Sequence, residues 1–150
     1  MSMRSDETPI VFRFPPEASH LRMLRRTVRD GLEAQGVPSA TIELVVLVLD
    51  EVVSNAIEHG SCYRERHEHL SVSVRSNGIE VELDFEDPEA PRTVVDELAD
   101  ALERSRGKRP PPESERGRGL YLVADSLTEL SVRPAKGGGL HLHGRCVGLP

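Results

Sequence analysis

Three residues one helical turn apart, Glu51, Asn55 and His59, make the most chemically suggestive pattern in this 150-residue sequence. On a helix, residues four apart drift by only about 40° round the axis, so the three share one line. A carboxylate and a carboxamide one turn apart suit a hydrated Mg²⁺, which takes hard oxygen ligands and keeps several waters. The same carboxylate can polarise a hydroxyl or a water as a general base. Taken alone, the trio also fits a plain polar seam on an amphipathic helix.

A second pattern is Gly117-Arg118-Gly119-Leu120, between a polar stretch and an apolar-periodic one. Glycines there let backbone N–H groups approach a phosphate, and a helix N-terminus adds partial positive charge. An ordinary loop-to-helix turn reads the same way. Arg104, Arg106, Lys108, Arg109, Arg116 and Arg118 could neutralise a polyphosphate or form a solvated charged loop. A third pattern is the pair of H-x-H motifs, His67/His69 and His141/His143. Histidines two apart on a strand share a face and, with Cys62 or Cys146 as a further ligand, could bind a transition metal; His141 and His143 equally suit the open face of an alternating strand. No G-x-S-x-G is present, so a serine hydrolase is not supported.

The elements that must position these groups follow from periodicity. Ile42, Val45, Val46, Leu49, Val52, Val53, Ala56 and Ile57 recur at helical spacing, with no Gly or Pro from Ser39 to His59. Pro38-Ser39 and Gly60 supply start and stop signals, predicting one long helix that carries the polar line at its far end. Before it, residues 9–14 read as a strand stopped by Pro15-Pro16. Leu21, Leu24, Val28 and Leu32 then mark a helix ended by Gly36, its arginines forming a solvated face. After it, Leu70 to Arg75 and Ile79 to Phe85 alternate as strands about an Asn77-Gly78 turn. Thr93 is placed to cap a helix running through Leu102. From Arg104 to Arg118 there is no apolar residue, which predicts a surface loop. A helix through Leu120, Leu122, Val123 and Leu127 and two strands, Thr128 to Arg133 and Leu140 to Val147, close the chain. Helices against runs of adjacent strands predict one α+β domain over residues 1–150, a two-layer sandwich with a mixed, mostly antiparallel sheet, helices on one face, and a flexible lid at about 104–118.

A net charge of −6 and a pI near 5.5 argue against general affinity for nucleic acid or anionic membranes. With no Trp, two Tyr and three Phe, a base-stacking platform is also disfavoured. Two cysteines far apart in sequence suggest reduced thiols, and the absence of a signal-like or membrane-length apolar run suggests a soluble cytoplasmic protein.

In order and content these pieces resemble the GHKL, or Bergerat-fold, ATP-binding family of gyrase, chaperone, histidine kinase and MutL type. They are most similar to the stand-alone serine/threonine kinases that act as bacterial anti-sigma factors. The resemblance rests on D-E-V-V-S-N-A-I-E-H-G, Asp50 to Gly60, and on E-R-G-R-G-L-Y-L-V, Glu115 to Val123. Its element order extends from about Ile10 to Val147. It implies ATP and Mg²⁺ as cofactors, Glu51 as general base and Asn55 as metal ligand, with His59 beside the nucleotide. Arg116, Gly117, Arg118, Gly119 and Leu120 would lie at the phosphates, and Asp87 would read adenine. As partners it implies a sigma factor and an antagonist carrying the target serine, with a homodimer possible. In the family's D-x-G-x-G box, however, this chain reads Asp87-Pro88-Glu89-Ala90-Pro91. Glutamate adds charge and bulk and proline removes a donor where a nucleotide would approach backbone. The alternative is therefore a regulatory protein-binding module of the same fold with degenerate or absent nucleotide binding.

Overall fold

The computed structural model describes residues 8–106 and 115–147, and for 115–118 and 120 it describes the backbone alone. The described chain runs β1 (Ile10–Phe14), a 3₁₀ turn (Ala18–His20), α1 (Leu21–Ala34), α2 (Ser39–Gly60), β2 (Leu70–Ser76), β3 (Glu80–Asp87), α3 (Arg92–Ser105), α4 (Glu115–Ser126), β4 (Glu129–Pro134) and β5 (Leu140–Val147). The strands form one sheet in the order β1-β2-β3-β5-β4. All of its pairings are antiparallel, so the expected mostly antiparallel sheet has no parallel pair among the described residues.

Strand alternation decides which face carries the helices. Val72, Val74, Val81, Leu83, Phe85, Leu140 and Leu142 point to the core, where α1, α2 and the later helices cover them. The intervening Ser73, Arg75, Glu82, Asp84, His141, His143 and Arg145 occupy the other face. The sheet is therefore a two-sided plate, apolar toward the helices and charged away from them.

The long helix is buried along a broad face in its first half, through Ile42, Val45, Val46, Val48 and Leu49, with Glu43 and Leu47 exposed, and along the same side further on, through Val52 and Val53. The polar line of its second half faces the region over β3 and β5, which are interior strands of the sheet. Helix α1 ends as its glycine predicts. Gly36 adopts φ +79°, its N–H donates to Glu33 O, and the Val37 N–H donates to Leu32 O, the Schellman arrangement. At the β2–β3 turn Gly78 has φ +93°, and Asn77 Oδ1 accepts from the N–H groups of Ile79 and Glu80.

Several expectations are corrected. Helix α3 begins at Arg92 without a side-chain cap, so Thr93 is inside it: the N-cap is Pro91, two residues earlier than expected. Helix α4 starts at Glu115, so Gly117 and Gly119 sit in its first turns instead of ahead of it, and Arg104 belongs to α3. Of the expected lid, residues 107–114, including Lys108 and Arg109, fall outside the described residues. The arginines of α1 remain partly or fully exposed, as expected, and two of them also reach α2. Arg25 donates to Asp50 Oδ1 at 2.6 Å and Arg29 makes a fork to Glu43, tying α1 to α2.

Candidate functional site

The line Glu51, Asn55, His59 emerges along one wall of a cleft of about 300 Å³. Phe85 and Asp87 of β3 and Leu140 and Leu142 of β5 supply its floor, and Leu98 and Ala101 of α3 its opposite wall, with Val123 of α4 closing one end. Glu51 and Asn55 are half-buried and His59 is exposed at the rim. The cleft is thus mostly apolar with a few convergent polar groups, the usual composition of a small-molecule site.

Gly119 meets this wall directly. A Cβ there would overlap Glu51 Oε2, so glycine lets the first turns of α4 lie against the carboxylate without displacing it. The two motifs read from sequence, 68 residues apart along the chain (Glu51 to Gly119), are therefore neighbours in space. Arg116, Gly117, Arg118 and Leu120 lie in the same helix, α4, described there by backbone alone.

Asp87 ends β3 at the floor of the cleft, but its carboxylate is already engaged. Arg64 Nη1 donates to Oδ1 at 2.8 Å and Arg64 Nη2 to Oδ2 at 2.6 Å. The Tyr63 hydroxyl donates to Oδ2 at 2.7 Å, and the Glu89 N–H reaches Oδ1 at 3.2 Å. Asp87 is 1% exposed and the Arg64 side chain 4%. Burial alone would lower the Arg64 pKa, but the hydrogen bonds and charge of Asp87 outweigh it and raise it. Burial, then the hydrogen bond to Asp87, pushes the Tyr63 phenol well above its ordinary value. Arg64 also donates to Ala56 O at 3.0 Å, and it packs where a Cβ on Gly60 would be.

Glu89 does not project into the cleft as charge and bulk. It turns to the segment after α2, accepting from the N–H groups of Glu65 at 3.0 Å, Arg66 at 2.7 Å and Glu68 at 3.0 Å. Burial raises its carboxyl pKa, yet the three N–H donors and nearby Arg64 outweigh this and hold it below the ordinary value. On the other side, Gly139 at φ +91° brings β5 so close to the Asp87–Pro88 backbone that a Cβ would overlap Asp87 O.

Sequence reading missed Tyr63 and Arg64, which looked like members of a polar loop; only a contact spanning 23 residues gives Arg64 its role. The H-x-H motifs form no metal centre. His141 Nε2 and His143 Nδ1 both bond to Asp84 Oδ1, at 2.7 Å and 2.9 Å, while Cys146 is buried on the opposite face of the same strand. His67 and His69 are exposed, and among the described residues no group of three His, Cys, Asp or Glu is arranged to hold a metal. Cys62 donates to His59 O, and both cysteines are free.

An α-helical layer on an antiparallel sheet, with a carboxylate–carboxamide line facing a cleft beneath a glycine-bearing helix, defines a class that comparison makes specific. Residues 14–143 match the family described as the histidine kinase-like ATPase domain, and the chain belongs to that family. A similar fold occurs in a chain of the SiaB-SiaC complex from Pseudomonas aeruginosa, with a TM-score of 0.69 at 17% identity, covering 92% of this chain and 88% of that one. No curated protein matches. Among the described residues, no helix is long and apolar enough to cross a membrane.

The site fits the family's nucleotide and Mg²⁺ unevenly. The oxygen donors of Glu51 and Asn55, side by side on the cleft wall, suit a hydrated Mg²⁺ and a polyphosphate. The Asp87 end does not fit a base read through that carboxylate, because its acceptors are taken by Arg64, Tyr63 and Glu89.

Proposed function

We propose that this protein is a Mg²⁺- and ATP-dependent serine/threonine-protein kinase that acts in the cytoplasm as an anti-sigma factor through partner switching. The observation that carries it is Glu51 and Asn55 on the cleft wall, with the backbone of Gly119 against the Glu51 carboxylate. Bound ATP would supply the phosphoryl group. Glu51 takes the proton of a serine hydroxyl offered by a partner at the mouth of the cleft, and Asn55 supplies an oxygen to the metal. His59 stands at the rim, and the first turns of α4, from Arg116 to Leu120, contribute backbone and charge at the phosphates. The similarity to a chain solved within a two-protein complex supports a protein partner; the resemblance drawn from the sequence is what points to a sigma factor and its antagonist.

The test is to incubate the protein with Mg²⁺, ATP and a cognate antagonist and to look for phosphoserine by mass spectrometry. Phosphoserine on the antagonist is the expected outcome. No binding of ATP at millimolar concentration in calorimetry would remove the kinase reading. A second reading, a protein-binding module with degenerate nucleotide binding, is favoured by the Arg64–Asp87 ion pair and would then stand.

A further inference from the structure

Asp87 is held from inside the protein more completely than a base-reading carboxylate can be. An ionised carboxylate has about four lone-pair positions. Four protein donors meet them here: two from the Arg64 fork, one from the Tyr63 hydroxyl and one from the Glu89 N–H. Arg64 cannot leave easily, being buried, bonded to Ala56 O and packed at Gly60 with its guanidinium 5.1 Å from the Tyr63 ring centre. Its departure would strand a buried carboxylate. Of these donors, only Tyr63 also lines the cleft.

A free carboxylate accepts from the exocyclic amine of adenine and repels the carbonyl oxygen that guanine carries at the same position. A saturated one does neither. The surrounding surface, from Phe85, Val94, Leu98, Leu140 and Leu142, is apolar and accepts a flat purine of either kind. We propose that Tyr63 and Arg64 withdraw Asp87 from base recognition, so that the cleft takes nucleoside triphosphates with little regard to the purine. This specificity rests on the nucleotide-binding reading above.

The experiment measures binding of ATP and GTP, each with Mg²⁺, to the wild-type protein and to Tyr63→Phe by calorimetry. The variant keeps the ring and frees one acceptor of Asp87 toward the cleft. In the wild type the two affinities are expected to agree within about threefold. In Tyr63→Phe the preference for ATP rises by roughly tenfold, the worth of one hydrogen bond to a charged group. A wild-type preference for ATP above about tenfold, or an unchanged ratio in folded Tyr63→Phe, overturns the proposal. If Tyr63→Phe does not fold, the wild-type ratio decides, with inorganic tripolyphosphate expected to displace ATP and GTP equally well. Absence of binding by both nucleotides in both folded proteins is a different result, which removes the nucleotide reading and this proposal together.

Discussion

Two carboxylates of one cleft do opposite things because their surroundings differ. Glu51 stands half-buried against a glycine backbone and faces the cleft. Asp87, buried beside Arg64, is a structural anchor. Replacing Glu51 with Gln keeps shape and removes the proposed base, so on the kinase proposal phosphoryl transfer should fall by about 10²–10⁴-fold while ATP binding persists, measured by antagonist phosphorylation and calorimetry. Gly119→Ala places a methyl group on the Glu51 carboxylate, the end of a flexible side chain that can swing aside. Thermal stability should therefore change little, while transfer drops by about 100-fold through misplacement of the base, a split read by comparing melting and activity. Glu89 gives a pH signature. Its folded pKa lies below the ordinary 4.5, so its stabilising contribution is present above that value and is lost as pH falls through the folded one. Melting temperatures measured between about pH 6 and about pH 3 should show a shallower acid decline in Glu89→Gln than in the wild type, from a lower starting point.

At the scale of elements, α2 joins the core to the chemistry. Its first half is held by a broad buried face, which fixes the rotation of the second half and hence the direction of Glu51 and Asn55. Leu49, 1% exposed and two residues before Glu51, tests that coupling. Leu49→Ala should cost about 2–5 kcal/mol in denaturant unfolding, from lost burial plus the cavity left behind. The segment after α2 is held differently, by polar bonds. Arg64 and Glu89 lace it to the end of β3, replacing with ion pairs and N–H donors the apolar packing that Cys62 to Glu68 lacks. Gly139 completes this junction, and any side chain there would be strained by its φ of +91° as well as by overlap with Asp87 O.

For the whole molecule, the helix layer holds the cleft and the far side of the sheet is a charged surface. There Arg145 pairs with Glu129 at 2.7 Å, and Asp84 is shared by two histidines. The exposed Arg145–Glu129 pair contributes little to stability and is screened by salt. Ligand binding acts on the whole fold by mass action. ATP with Mg²⁺ at one hundred times its dissociation constant should stabilise the protein by about 2.7 kcal/mol, seen as a rise in melting temperature that Glu51→Gln retains.

The helix α2, the strand pairs about Asn77-Gly78, the Gly36 stop and the polar line at Glu51 were legible in the sequence because each depends on periodicity or on a local backbone requirement. Contacts within about four residues are written in spacing, and so is the glycine at 119. The tertiary structure alone decided that Gly119 lies against Glu51, where a side chain would displace the carboxylate, and that Asp87 is engaged. The partners of Asp87 come from Tyr63 and Arg64, more than twenty residues earlier, and no period relates them. The order of residues determined which groups could do chemistry. Long-range packing determined which of them remain free to do it.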